Sequence, residues 1–177
     1  MALIDNRAQV IEDRWSYPHA DGAHAPRPHH VIPLDVLASV GSEALIDRPL
    51  GAFAASGVTA DLIVPFLDKL DLVVVEFTKF RDGRGFTVAR ALRERHGFKG
   101  DIRAIGLVLP DQFAALLQCG FSTIVTPAEH PPEQWQSGAR SASEPSSGGP
   151  LLQRLIRKRA VSRVDADADS VQQNRRE

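Results

Sequence analysis

The sequence predicts a small α/β domain with a mostly parallel sheet in three layers, and three observations lead to it. Strand-like and helix-like segments alternate between residues 33 and 127. Asp71-Leu72-Val73-Val74-Val75-Glu76-Phe77 is apolar on both faces, the pattern of a central parallel strand covered on both sides. The loops between segments are short, so the order β-α-β-α-β implies parallel strands joined by right-handed crossovers.

Taken in order, Pro33 to Ser39 reads as a helix, with Pro at an early position where its missing N–H does no harm. Leu50 to Ala55 reads as a strand. Residues 59–70 read as helical but contain Pro65, so the helix begins near that residue or is broken there. After the strand at 71–77 a loop, Thr78 to Gly85, leads into a helix over Phe86 to His96 with Val88, Ala89 and Leu92 on one side. Gly97 or Gly100 stops it. Asp101 to Leu107 is the next strand, Pro110-Asp111 opens a helix that stops at Gly120, and Ser122 to Thr126 is the last strand.

Composition divides the chain into four stretches. Residues 1–32 form an irregular N-terminal segment of short apolar, strand-like pieces and a Pro/His-rich stretch. Residues 33–127 are the α/β core. Residues 128–150, rich in Pro, Ser and Gly, read as a flexible linker, within which Trp135 is a candidate anchor for a partner. Residues 151–177 hold a basic helix over Leu151 to Ala160 and a tail around Asp165-Ala166-Asp167-Ala168-Asp169 that reads as disordered.

The formal net charge of -1 gives no global pull toward nucleic acid or an anionic membrane. No apolar run approaches the roughly 18–20 residues that span a bilayer. The first residues meet an acid at Asp5 and lack the order of a signal peptide, so the expected compartment is the cytoplasm. The single cysteine, Cys119, excludes an internal disulfide and a cysteine-ligated iron–sulfur cluster. It falls at a predicted helix end, where the dipole disfavours a thiolate, and it reads as a buried packing residue beside Phe121. His19, His24, His29 and His30 match no common zinc spacing and read as surface loop, so no metal is expected.

In parallel sheets ligands sit beyond the carboxyl ends of strands. The loop Lys79-Phe80-Arg81-Asp82-Gly83-Arg84-Gly85-Phe86 lies there, with two glycines, three cations and a following helix start, parts that suit an anion site. The structural alternative is that Asp82-Gly83 forms a turn and Arg84 pairs with a carboxylate. The bias is wider than the loop. From Lys79 to Arg103 eight cations, including Arg90 and Arg93, face three acids, a surplus of five that suits an acidic partner or an anionic ligand. Asp111-Gln112 offers a ligand contact at the sheet edge, or a cap for its helix, with capping the expected role for Asp111.

The stretches Phe77 to Arg93, Gly97 to Gly106, Asp111-Gln112 and Cys119-Gly120-Phe121 resemble a bacterial domain-of-unknown-function family (nine-three-four). The likeness covers about residues 31–127; the family's aspartate-glycine-arginine-glycine signature falls at Asp82 to Gly85, and its alanine-arginine at Ala89-Arg90. Gln118 stands where many members have arginine. Members are commonly encoded beside assimilatory sulfite reductase and often labelled as oxidoreductases of sulfite reduction. The resemblance therefore implies a place in cysteine biosynthesis and, as partner, the sulfite reductase haemoprotein.

An oxidoreductase needs a cofactor. The Rossmann glycine pattern is missing and none is expected, although a flavin held by a non-classical loop stays open. The expected function is a non-catalytic accessory of sulfite reduction that docks on the reductase or supports electron delivery to it. The alternative is a small enzyme or binding protein for a sulfur oxyanion or a phosphorylated metabolite at the Lys79–Phe86 loop.

Overall fold

The computed structural model of the chain describes residues 1–18, 27–41, 48–80 and 82–138. The chain divides into two compact units, Met1–Ser143 and Glu144–Glu177. The second, with the expected basic helix and disordered tail, lies outside the described residues, as do His19 and His24.

The first unit is an α/β domain around a seven-stranded, mostly parallel sheet. Its elements are β1 (Leu3–Ile4), β2 (Val10–Ile11), β3 (His30–Pro33), α1 (Leu34–Val40), β4 (Leu50–Ala54), α2 (Ala60–Ile63), β5 (Leu72–Phe77), α3 (Arg84–Arg90), β6 (Asp101–Gly106), α4 (Phe113–Gln118) and β7 (Thr123–Val125). The spatial order is β2-β1-β7-β6-β5-β4-β3. Strands β3 to β7 are parallel, and β1 runs antiparallel to both β7 and β2. The start of the chain is tied to the last strand: the Ala2 N–H donates to Thr126 Oγ1 at 3.1 Å and the Thr126 N–H to the Ala2 carbonyl at 2.8 Å. The short strand-like pieces of the N-terminal segment thus join the sheet.

Local sequence explains the elements. The run at Leu72–Val75 is buried on both faces at the middle of the sheet. Pro65 neither starts nor stops the helix at 59–70; the α-turn passes at Val64 into a tighter 3₁₀ stretch, Val64–Lys69, with Pro65 in its first turn where no N–H is required. α3 starts two residues before the expected Phe86 and continues as a π-helical stretch, Ala91–Arg95. Gly97 (φ 62°) and Gly120 (φ 101°) end the third and fourth helices in the left-handed region that glycine enters without strain.

Topology decides which face each helix covers. Strands β3 to β7 lie side by side in chain order, so right-handed crossovers put every helix on the same face. The side-chain parity agrees. Ile32, Ala52, Val73, Val75, Ile102 and Ile124 meet the buried faces of α1 to α4 in one large core. Val31, Leu72 and Val74 point the other way into a small second cluster that Trp15, Tyr17, Phe53 and Ile105 complete. The third layer is therefore an extended segment, residues 13–17, drawn across the sheet. Trp15 lies over Gly51 of β4, where a Cβ would meet its ring at 3.1 Å. Ser16 bridges to His30 of β3.

The linker expected from residue 128 is corrected over 128–138. Pro132–Trp135 forms a 3₁₀ turn, Trp135 is fully buried edge-on to Phe113 at 6.0 Å, and its indole N–H donates to the His130 carbonyl at 3.0 Å. An indole whose polar end finds a partner is a core residue, and the expectation of a partner anchor falls with it. Residues 139–150 lie outside the described residues. No helix among the described residues is long and apolar enough to cross a membrane.

Candidate functional site

The strand order never reverses between β3 and β7, so the switch-point crevice that holds ligands in doubly wound sheets does not form here. What stands at the carboxyl edge is the loop between β5 and α3. Its centre is Asp82, whose carboxylate accepts from the Arg84 backbone N–H (3.1 Å), from Arg84 Nε (2.8 Å) and Nη2 (2.6 Å), and from the Ser56 hydroxyl of the neighbouring loop (3.0 Å). The Arg84 side chain, with the backbone bond behind it, holds the Asp82 carboxyl well below the usual carboxylate range. Arg84 is itself raised by the same pair. The turn-plus-ion-pair arrangement is the one present.

The two glycines of this loop differ. Gly83 has open space where a side chain would be, whereas a Cβ on Gly85 would run into the buried ring of Phe77. Gly85 thus serves helix–strand packing. Arg81 lies outside the described residues. The Lys79 carbonyl accepts from the Asp82 N–H at 3.2 Å, while its side chain is exposed and makes no ion pair or hydrogen bond among the described residues.

Structure splits the basic stretch. Arg93 turns inward and donates to three carbonyls, Phe98 (2.6 Å), Gly100 (2.8 Å) and Gly120 (2.8 Å), and to the Ser122 hydroxyl (2.8 Å). Burial lowers its pKa from the ordinary arginine value. Arg103 sits in β6 between Ile102 and Ala104, so its side chain leaves by the opposite face. There it is buried against Asp101 (2.9 Å), Asp13 (2.9 Å), the Tyr17 hydroxyl (2.7 Å) and Thr123 (3.0 Å). As contacts for a ligand or partner both arginines are corrected: their donors are spent within the chain. Arg90 stays half exposed, 3.9 Å from Glu94, and points one guanidinium nitrogen at the buried Cys119 Sγ at 3.4 Å.

Asp111 is exposed and makes no cap. Gln112 fills that role: its Oε1 accepts from the Leu109 N–H at 3.1 Å, and its Nε2 donates to the Phe80 carbonyl at 3.0 Å, tying the loop to the helix start. Among the described residues no cluster of three or more His, Cys, Asp or Glu could hold a metal ion.

A groove of about 250 Å³ runs beside this loop, between residues 57–61 and one face of α3. Arg84, Thr87, Val88, Ala91 and Arg95 line it at helical spacing, opposite Val58, Thr59 and Asp61. That spacing was readable in the sequence; the facing loop after β4 was not. The π turn adds His96. In a regular helix His96 would stand about 140° round from Ala91, but its N–H bonds the Ala91 carbonyl five residues back and brings it onto the groove wall.

Fold and site together define a small α/β protein with a mostly parallel sheet, in which Gly85, Arg93 and Arg103 serve the packing of the fold. The chain belongs to a bacterial family: residues 51–145 match the one described as "Bacterial protein of unknown function (DUF934)". No curated protein matches the chain.

Proposed function

We propose that the protein is a non-catalytic accessory of assimilatory sulfite reduction, acting in the cytoplasm by docking on the sulfite reductase haemoprotein or supporting electron delivery to it. The pathway comes from the family resemblance. The observation that carries the mode of action is the outward face of the unit between Lys79 and Lys99. With Arg93 withdrawn into the core, the described residues from 79 to 99 keep five cations, Lys79, Arg84, Arg90, Arg95 and Lys99, against two carboxylates, Asp82 and Glu94. At the carboxyl edge of the sheet, next to Lys79 and Arg84, Phe80 and Leu107 are exposed, while Arg95 and Lys99 lie toward the amino edge. A cationic face with exposed apolar side chains at one end suits an acidic protein surface and makes docking sensitive to salt.

Co-purification from cells growing on sulfate tests it. The wild-type protein retains the reductase, and Lys79→Glu combined with Lys99→Glu loses most of it. Deletion leaves cells dependent on cysteine or sulfide. Unchanged growth on sulfate after deletion, or undiminished capture by the double variant, overturns the proposal.

A further inference from the structure

We infer that the groove between residues 57–61 and α3 binds a small organic anion, one oxyanion group on an apolar body about the size of a single ring. The inference goes beyond the docking proposal and does not depend on it, since Lys79 and Lys99 lie outside the groove.

The floor is apolar, from Val58, Ala60, Val88 and Ala91. The polar groups on the wall are of two kinds. Arg84 is already held by Asp82 and is a fixed part of the wall. The side chains of Arg95 and His96 have no hydrogen-bond or ion-pair partner among the described residues, and with the hydroxyls of Thr59 and Thr87 they are the donors left to a guest. Asp61, the one acid of the lining, weakens the pull on a bare anion, so the apolar body has to contribute. A volume of about 250 Å³ falls just below that of sites for drug-sized ligands, which leaves space for a ring and a head group. The π stretch is a second sign. Such turns replace good helical hydrogen bonds with poorer ones and recur at functional sites, and here two of its residues, Ala91 and Arg95, and the next one, His96, all line the groove.

Phenyl phosphate is the probe, with inorganic phosphate and phenol as its separate halves, followed by calorimetry and by backbone amide shifts of the full chain. Phenyl phosphate is expected to saturate, with shifts at 57–61 and 87–96, and each half to bind at least about tenfold more weakly. Arg95→Gln, an exposed position that leaves the thermal transition in place, is expected to weaken phenyl phosphate about tenfold, the loss of one charge-assisted contact. Ala91→Leu, which fills the floor, is expected to abolish binding, and Lys79→Glu to leave it unchanged. If Ala91→Leu fails to fold, Arg95→Gln and the shift map decide alone. No saturation at millimolar probe, equal affinity of Arg95→Gln and wild type, or an equal loss in Lys79→Glu overturns the inference.

Discussion

Phe77 lies so close beneath Gly85 that a Cβ added to the glycine would stand 2.6 Å from the ring. The ring cannot retreat, because Phe86 and Phe121 pack against it at 5.4 and 5.9 Å. Gly85→Ala therefore costs about 1–3 kcal/mol of stability, the usual penalty for overpacking. Gly83→Ala, two residues away with open space around it, stays within about 0.5 kcal/mol. Urea denaturation of the pair checks both, and equal stabilities would show that the close approach is not limiting.

Arg93 joins α3 to the turns before β6 and β7 through four hydrogen bonds. Arg93→Met leaves their acceptors without the donor and is expected to cost roughly 3 kcal/mol or more. Arg93→Lys recovers little, since an ammonium cannot reproduce the planar fork. Equilibrium unfolding measures both, and a lysine variant as stable as wild type would contradict the geometry.

Tyr17 is the only tyrosine, so its ionisation can be followed by absorbance alone. Burial first, and then its hydrogen bond to Asp13, push its pKa up to about 12, against the pull of Arg103. A raised folded-state pKa means that its contribution to stability is complete below the unfolded value near 10. It is lost as pH rises through the folded value. The expected results are a phenolate transition near 12 in the native protein and a fall in stability between about 10 and 12. Tyr17→Phe removes that alkaline fall.

Asp82 has the opposite sign. Its folded pKa is depressed, so the contribution of the Asp82–Arg84–Ser56 cluster is full above the ordinary aspartate value of 3.8 and disappears as pH falls through the lower folded value. The stability gap between wild type and Asp82→Asn is expected to be constant at neutral pH and to close in acid. A gap that persists unchanged under strongly acidic conditions would mean that the ion pair is not its source.

Much of the frame could be read from residues alone. The β-branched run at 72–75 can only be a central strand, and Gly97 and Gly120 end helices where their conformational freedom indicates. Two features needed the third dimension. Counting charges from 79 to 103 treats Arg93 and Arg103 as surface, yet one is turned in by the helix face it occupies and the other by strand alternation between Ile102 and Ala104. That second signal was in the sequence; its partners Asp13 and Tyr17, some 90 residues away, were not. Trp135 was masked by its Pro-rich surroundings, which resemble a linker until the indole finds its pocket against Phe113. The site followed the same pattern. The Asp82–Arg84 pair was legible as one of two alternatives, while the groove depends on a π turn that no local propensity announces.

The contact of Ala2 with Thr126 has a consequence for synthesis. β1 can pair with β2 at once, but its other edge has no neighbour until β7 exists and stays open while the chain grows, on the order of ten seconds at common translation rates. Residues 13–17 find β3 and β4 early, but Asp13 has no Arg103 to meet until β6 has emerged. The helical face can assemble progressively, strand by strand, but the reverse side and the sheet's far edge close only at the end. Such late, distant pairings slow folding, and a nascent chain halted before Thr123 would leave Leu3 and Ile4 open to other chains.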